Sequence, residues 1–181
     1  MHKGFILLIL AFLISGCNPD KRTKVDQGNI IFNTDDASRL FFKNVRRIYY
    51  ELEVMDAAKL NVYRHKQRVL STALPVLNLA IVDNWRYDEA YLLLEPNEFI
   101  GNSNELLVQW QLGEVSNTIA YKQGNKTDQV AFADSLYNLL QQGCRFKIQI
   151  NDSWVSFLDS DKSREAFRVT MFDYYRLVKR I

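Results

Sequence analysis

Apolar and polar positions are ordered along this chain in several distinct ways, and each predicts an element. "LNLAIV" (77–82) and "EAYLLLE" (89–95) are short apolar runs separated by the polar "DNWRYD" (83–88). Runs of this kind bounded by Asn and Asp read as two strands and their connection, closed by Pro96 and Asn97. "ELLVQWQ" (105–111) and "TIAYKQ" (118–123) alternate around "LGEVSN" (112–117) and predict a further hairpin.

After "GNKTD" (124–128) the period changes to that of a helix. Phe132, Leu136, Leu139 and Leu140 form an apolar stripe over about 128–142, and Gly143 is placed to stop it. Alternation then returns: Cys144, Phe146, Ile148 and Ile150 share one strand face, with Arg145, Lys147 and Gln149 on the other. "NDS" (151–153) leads to a short strand at "WVSFL" (154–158). A last helix, at about 162–180 and beginning near Asp161 or Ser163, sets Phe167, Thr170, Tyr174, Leu177, Val178 and Ile181 roughly on one side.

The stretch from Ile30 to Thr72 holds neither Gly nor Pro and supports two readings. Phe41, Val45, Ile48, Leu52 and Met55 fall at helical spacing after a cap at Asp35 or Asp36. Yet Val45, Ile48, Tyr49, Tyr50 and Val54 favour strands, and "MDAAK" (55–59) turns the chain towards "LNVYRHK" (60–66). A long hairpin is the preferred reading, with residues 36–56 open between helix and strand. Strands first and helices late give the α+β class, a mostly antiparallel sheet with two late helices. The strand connections are too short for βαβ crossovers, which disfavours a Rossmann-like sheet.

The N-terminus is of another kind. Phe5 to Ile14 is continuous apolar sequence preceded by His2 and Lys3. As a helix it would be roughly 15 Å long, about half of a bilayer's hydrocarbon core, so it reads as a signal peptide and not as a span. The Ile14-Ser15-Gly16-Cys17 sequence that follows resembles the lipobox of bacterial lipoproteins. That resemblance implies cleavage before Cys17, a thioether-linked diacylglyceryl group on it and acylation of the new amine. It divides the chain into a signal peptide (1–16), a lipidated tether (17–29) and a single α+β domain (30–181). Asn18, rather than Asp, after the cysteine resembles the pattern of lipoproteins sent to the outer membrane more than the inner. Lys21, Arg22 and Lys24 in the tether either favour anionic headgroups or belong to a solvated linker.

Composition adds exclusions. The balance of 23 Lys plus Arg against 21 Asp plus Glu is no nucleic-acid signature. With Cys17 lipidated, Cys144 has no partner for an intramolecular disulfide, and its place on an apolar strand face reads as burial rather than reactivity. His65 sits among the cations of "YRHKQR" (63–68), unsuited to a metal, and reads as an exposed or edge-strand histidine. No phosphate-binding glycine loop and no C-x-x-C is present, and no cofactor is expected.

Two constellations are candidate sites. Trp85 and Tyr87 stand among Asp83, Asp88 and Glu89, aromatics and acids of the kind that stack on sugars and hydrolyse them. Lys43, Arg46 and Arg47 precede Arg64, His65, Lys66 and Arg68, and a hairpin would gather the two sets. That patch, with Arg46, Arg47, Arg64, Lys66 and Arg68 as its core, suits phosphates, lipopolysaccharide or an acidic partner; the plainer reading is a solvated charged face. Arg164, Arg168, Arg176, Lys179 and Arg180 add cations to the last helix, several near the C-terminal end of its dipole. The expectation is a membrane-anchored envelope lipoprotein without enzymatic activity, binding an envelope protein. The alternative is an envelope glycan-binding protein or a carboxylate-dependent hydrolase using the Trp85 loop.

Overall fold

The fold is described from a computed structural model for residues 30–101 and 105–181. The leader, Cys17 and the tether lie outside the described residues. A short helix α1 (Asp36–Phe41) runs on through a π-helical turn (Phe42–Arg46) and a 3₁₀ turn (Arg47–Tyr49) into β1 (Tyr50–Met55). There follow β2 (Leu60–His65), β3 (Leu77–Asn84), β4 (Glu89–Pro96), β5 (Glu105–Leu112) and β6 (Val115–Lys122). Helix α2 (Lys126–Gln141), β7 (Arg145–Ile150), β8 (Ser153–Phe157) and α3 (Asp161–Leu177) complete the chain. Two four-stranded sheets result, ordered β1-β2-β3-β4 and β6-β5-β7-β8, with every pairing antiparallel. The α+β class holds.

Side-chain patterns explain the first sheet. Leu77, Leu79 and Ile81 of β3 enter the main core, while Ala80 and Val82 form a second cluster with Val62 of β2. Strand β3 is therefore buried on both faces, which is why "LNLAIV" shows no alternation. The outer edge of β4 is occupied at both ends. Ala90 N–H donates to Phe32 O (2.8 Å) and Leu94 N–H to Gln129 Oε1 of α2 (2.9 Å), so this edge offers no long template for another strand.

In the second sheet the connections are tighter than the sequence suggests. Strands β5 and β6 run to Leu112 and Val115, leaving only Gly113 and Glu114 between them, and Gly113 adopts φ 58°. Between β7 and β8, Asn151 (φ 45°) and Asp152 (φ 64°) are both left-handed, as a two-residue type I′ hairpin turn requires.

Helix α2 starts two residues before its expected position. Asn125 caps it by accepting the Thr127 N–H (2.7 Å), and Asp128 returns a bond to the Asn125 N–H (2.9 Å). Its end is a Schellman closure: Gly143 N–H reaches Leu140 O and Cys144 N–H reaches Leu139 O. Helix α3 is capped by Ser160 and packs against α2, β3 and β4. It buries Phe172 and Tyr175 as well as the expected Phe167, Thr170 and Tyr174, so its apolar surface is wider than one stripe. Ile181 lies beyond the helix end and is exposed.

Residues 36–49 overturn the long hairpin. Asp35 accepts the Ser38 N–H (2.8 Å) in a capping box, and the helical turns persist until Tyr50. Phe42 then packs edge-on to Tyr63 with ring centroids 4.9 Å apart, and Tyr50 joins them in the core. Only β1 and β2 form the hairpin, joined by Asp56–Lys59 as the "MDAAK" turn implies.

Candidate functional site

The two basic sets do meet, although the first lies on helical turns and not on a strand. Lys66 N–H donates to Tyr49 O and Lys66 Nζ to Ile48 O, each at 2.8 Å, which fixes the end of β2 against the 3₁₀ turn. Most of the cations are already committed. Arg46 Nε lies 2.7 Å from Asp173, Arg64 bridges Glu53 (2.6 Å) and Glu95 (2.7 Å), and Arg68 pairs with Glu51 (2.7 Å). Arg47 and Lys43 are exposed and make no ion pair among the described residues. The open cationic patch is thus narrower than its sequence.

The cations of the last helix are structural too. Arg168 holds Glu165 with two bonds, Arg180 pairs with Asp134 (2.8 Å), and Lys179 pairs with Asp35. Arg164 donates to Leu158 O and Cys144 O, and Arg176 lies over the Phe41 and Phe172 rings. Lys179 and the hydroxyl and backbone N–H of Ser38 hold the Asp35 carboxyl well below the usual carboxylate range.

The Trp85 loop is the connection Trp85–Asp88 between β3 and β4, closed by Asp88 at φ 52°. Trp85 and Tyr87 are exposed, as a binding loop needs. Cations stand over both rings, Lys59 at 5.3 Å from the Trp85 centroid and Arg86 at 5.4 Å from that of Tyr87. The acids are held as well: Arg39 reaches buried Asp83 (3.2 Å) and also Asp88, while Glu89 binds Lys126 (2.6 Å). No carboxylate of this loop is left as an isolated acid or base.

His65 corrects its expected position. It sits on the second strand of its sheet, only 6% exposed, edge-on to Tyr50 with centroids 5.3 Å apart. Burial pushes its pKa below the ordinary 6.5, against the pull of Asp173. No group of His, Cys, Asp and Glu among the described residues is arranged to hold a metal. Cys144 is fully buried, and burial raises its thiol pKa.

What the sequence reading missed is an apolar ridge on the outer side of residues 40–49. The inner positions Arg39, Phe42 and Tyr50 are buried. Leu40 (61% exposed), Phe41, Val45, Ile48 (62% exposed) and Tyr49 instead face solvent. Lys43 and Arg47 lie within the ridge, and the Arg46 guanidinium covers the Tyr49 ring at 4.8 Å. Apolar side chains this crowded and this exposed are uncommon away from interaction surfaces. Part of the signal was present: of the helically spaced Phe41, Val45, Ile48, Leu52 and Met55, the first three mark the outside of the ridge, while Leu52 and Met55 lie on β1. None of the helices among the described residues is long and apolar enough to cross a membrane. No family model, no curated protein and no solved structure matches this chain.

Proposed function

We propose that this protein is a lipid-anchored bacterial envelope lipoprotein that works by binding a partner protein through the 40–49 ridge. The carrying observation is the exposure of Leu40, Val45 and Ile48 on one helical surface whose inner side is firmly packed. A ridge on a rigid segment loses little conformational entropy on docking, and its centre is apolar with cations beside it, as at interaction hot spots. Lys43 and Arg47 favour an acidic rim on the partner. Cys17 carries the anchor in this reading, and Asn18 favours the outer membrane.

Turnover at the Trp85 loop has less support. A glycosidase needs two carboxyls free to face the substrate, whereas Asp83 and Asp88 are engaged by Arg39 and Glu89 by Lys126. The test is co-purification of tagged full chain from crosslinked cells. One companion protein should be retained by the unaltered chain and by Trp85→Ala, and lost with Ile48→Asp. Retention through Ile48→Asp would contradict the proposal.

A further inference from the structure

A separate cavity of about 240 Å³ lies between the start of β3, the segment 68–76, the end of β8 and the first half of α3. Its walls are mainly branched aliphatic side chains and two phenyl rings, including Val69, Leu74, Val76, Leu79, Phe157 and Phe167. It exceeds the ~150 Å³ of an engineered leucine-lined cavity that takes up benzene, and it falls short of a drug-sized pocket.

The cavity is held open by its frame. Asn97 Nδ2 donates to Ser71 O (2.5 Å) and Leu74 O (2.7 Å), and its Oδ1 accepts the Val76 N–H (3.1 Å). Asn78 Nδ2 donates to Val69 O (2.9 Å). These bonds pin the covering segment from β3 and from the residue just after β4, so it is held off the space below. Leu74 lines the cavity yet is 62% exposed, which makes the mouth apolar.

Several polar groups of the wall are committed, while Ser156 and Asp159 line it without a side-chain bond among the described residues. Thr170 Oγ donates to Ala166 O, Ser163 Oγ to Ser160 O, and Arg68 is paired with Glu51. His65 differs. Its Nδ1 accepts the Gln67 N–H (3.2 Å), so the neutral ring carries its proton on Nε2, which meets no acceptor among the described residues. An oxygen brought in by a ligand would accept from that N–H.

From this juxtaposition we infer that the cavity binds a medium-chain acyl group, its aliphatic tail among Val69, Leu79 and Phe167 and its carbonyl oxygen accepting the His65 Nε2–H. A sugar would find no tryptophan to stack on. A phosphate would find only Arg68, already neutralised by Glu51. A free fatty acid and a lipid acyl ester share the chain and the carbonyl.

The test is photolabelling of membranes containing the full chain, with diazirine-bearing decanoic acid in one arm and a phospholipid carrying the same chain in the other. Adducts should map to β3, α3 or 68–76. Labelling by the acid alone assigns a free fatty acid, and labelling by the phospholipid assigns a bilayer lipid. Ala166→Leu, which fills the cavity, should cut labelling at least tenfold, and Leu74→Asp, at the exposed mouth, should do so without disturbing the core. His65→Phe should reduce it severalfold, while Ile48→Asp on the ridge should leave it unchanged. Thermal melting establishes that each variant is folded. Absence of cavity adducts in both arms, or labelling unaffected by a folded Ala166→Leu or Leu74→Asp, would overturn the inference.

Discussion

Arg46 Nε lies 2.7 Å from Oδ1 of Asp173, and the other oxygen of that carboxylate accepts the Tyr50 hydroxyl at 2.7 Å. The pair joins the 42–46 turn to the C-terminal half of α3, far apart in sequence, and Asp173 is fully buried. The same contact moves Arg46 from a proposed partner surface to a fixed support behind it. It also holds the inner side of the segment whose outer side carries Val45 and Ile48.

The two partners should not be equivalent. The Arg46 side chain retains some access to water, whereas Asp173 has none. Arg46→Met strands a carboxylate in the core and should cost about 3–5 kcal/mol, the range for breaking a buried pair. Asp173→Asn keeps a hydrogen-bonding group against Tyr50 and lets Arg46 reach solvent, so its cost should be smaller. Urea denaturation of both variants measures the order, and equal losses would show that the asymmetry does not matter.

His65 gives a pH dependence of fixed sign. Burial depresses its folded pKa below the ordinary 6.5, with Asp173 and Glu165 pulling it up and Arg46 and Arg68 pushing it down. Stability from this group is therefore complete above the unfolded value. It is lost as pH falls through 6.5 towards the folded pKa, because the unfolded chain takes up the proton first. His65→Gln should flatten that part of the stability profile, at and below pH 6.5. A wild-type profile without a decline there would contradict the burial argument.

Cys144 should be inert while the chain is folded. Its thiol is fully buried behind the Schellman closure of α2, with a raised pKa, and the thiolate is the reactive form. A coloured disulfide reagent should react with it only after denaturant is added. Prompt reaction in native buffer would place it at an accessible surface.

At the Trp85 loop, the two acids held by Arg39 should differ in weight. Asp83 is buried, whereas the Asp88 side chain is 72% exposed and well screened. Asp83→Asn should cost more than about 1 kcal/mol and Asp88→Asn less than that, by urea denaturation. Trp85→Ala should leave partner retention intact, which separates this loop from the ridge.

Much of the second sheet was legible because local chemistry and tertiary packing agree there. The stripe Phe132, Leu136, Leu139 and Leu140 with the stop at Gly143 announces α2, and the alternation through Phe146 and Ile148 survives as β7. The segment 36–49 was harder for a physical reason. It has apolar residues on both sides, Phe42 and Tyr50 inward and Leu40, Val45 and Ile48 outward, and the π-helical turn at 42–46 shifts the period between them. Several of its residues are β-favouring, yet contacts from Arg39 to Asp83 and from Arg46 to Asp173, remote in sequence, hold it helical. The cavity left no local trace, because its walls come from β2, β3, β8, α3 and the covering segment.

The most direct test of the account is a photo-reactive side chain placed at Ile48 of the full-length protein in intact cells, with Val115 at the β5–β6 hairpin as the comparison position. Both positions are exposed and apolar, so they differ mainly in where they stand. One dominant protein adduct from Ile48, absent from Val115 and lost when Leu40→Asp is added, is the predicted result. No protein adduct from Ile48, or the same adducts from both positions, would contradict a partner docked on this ridge.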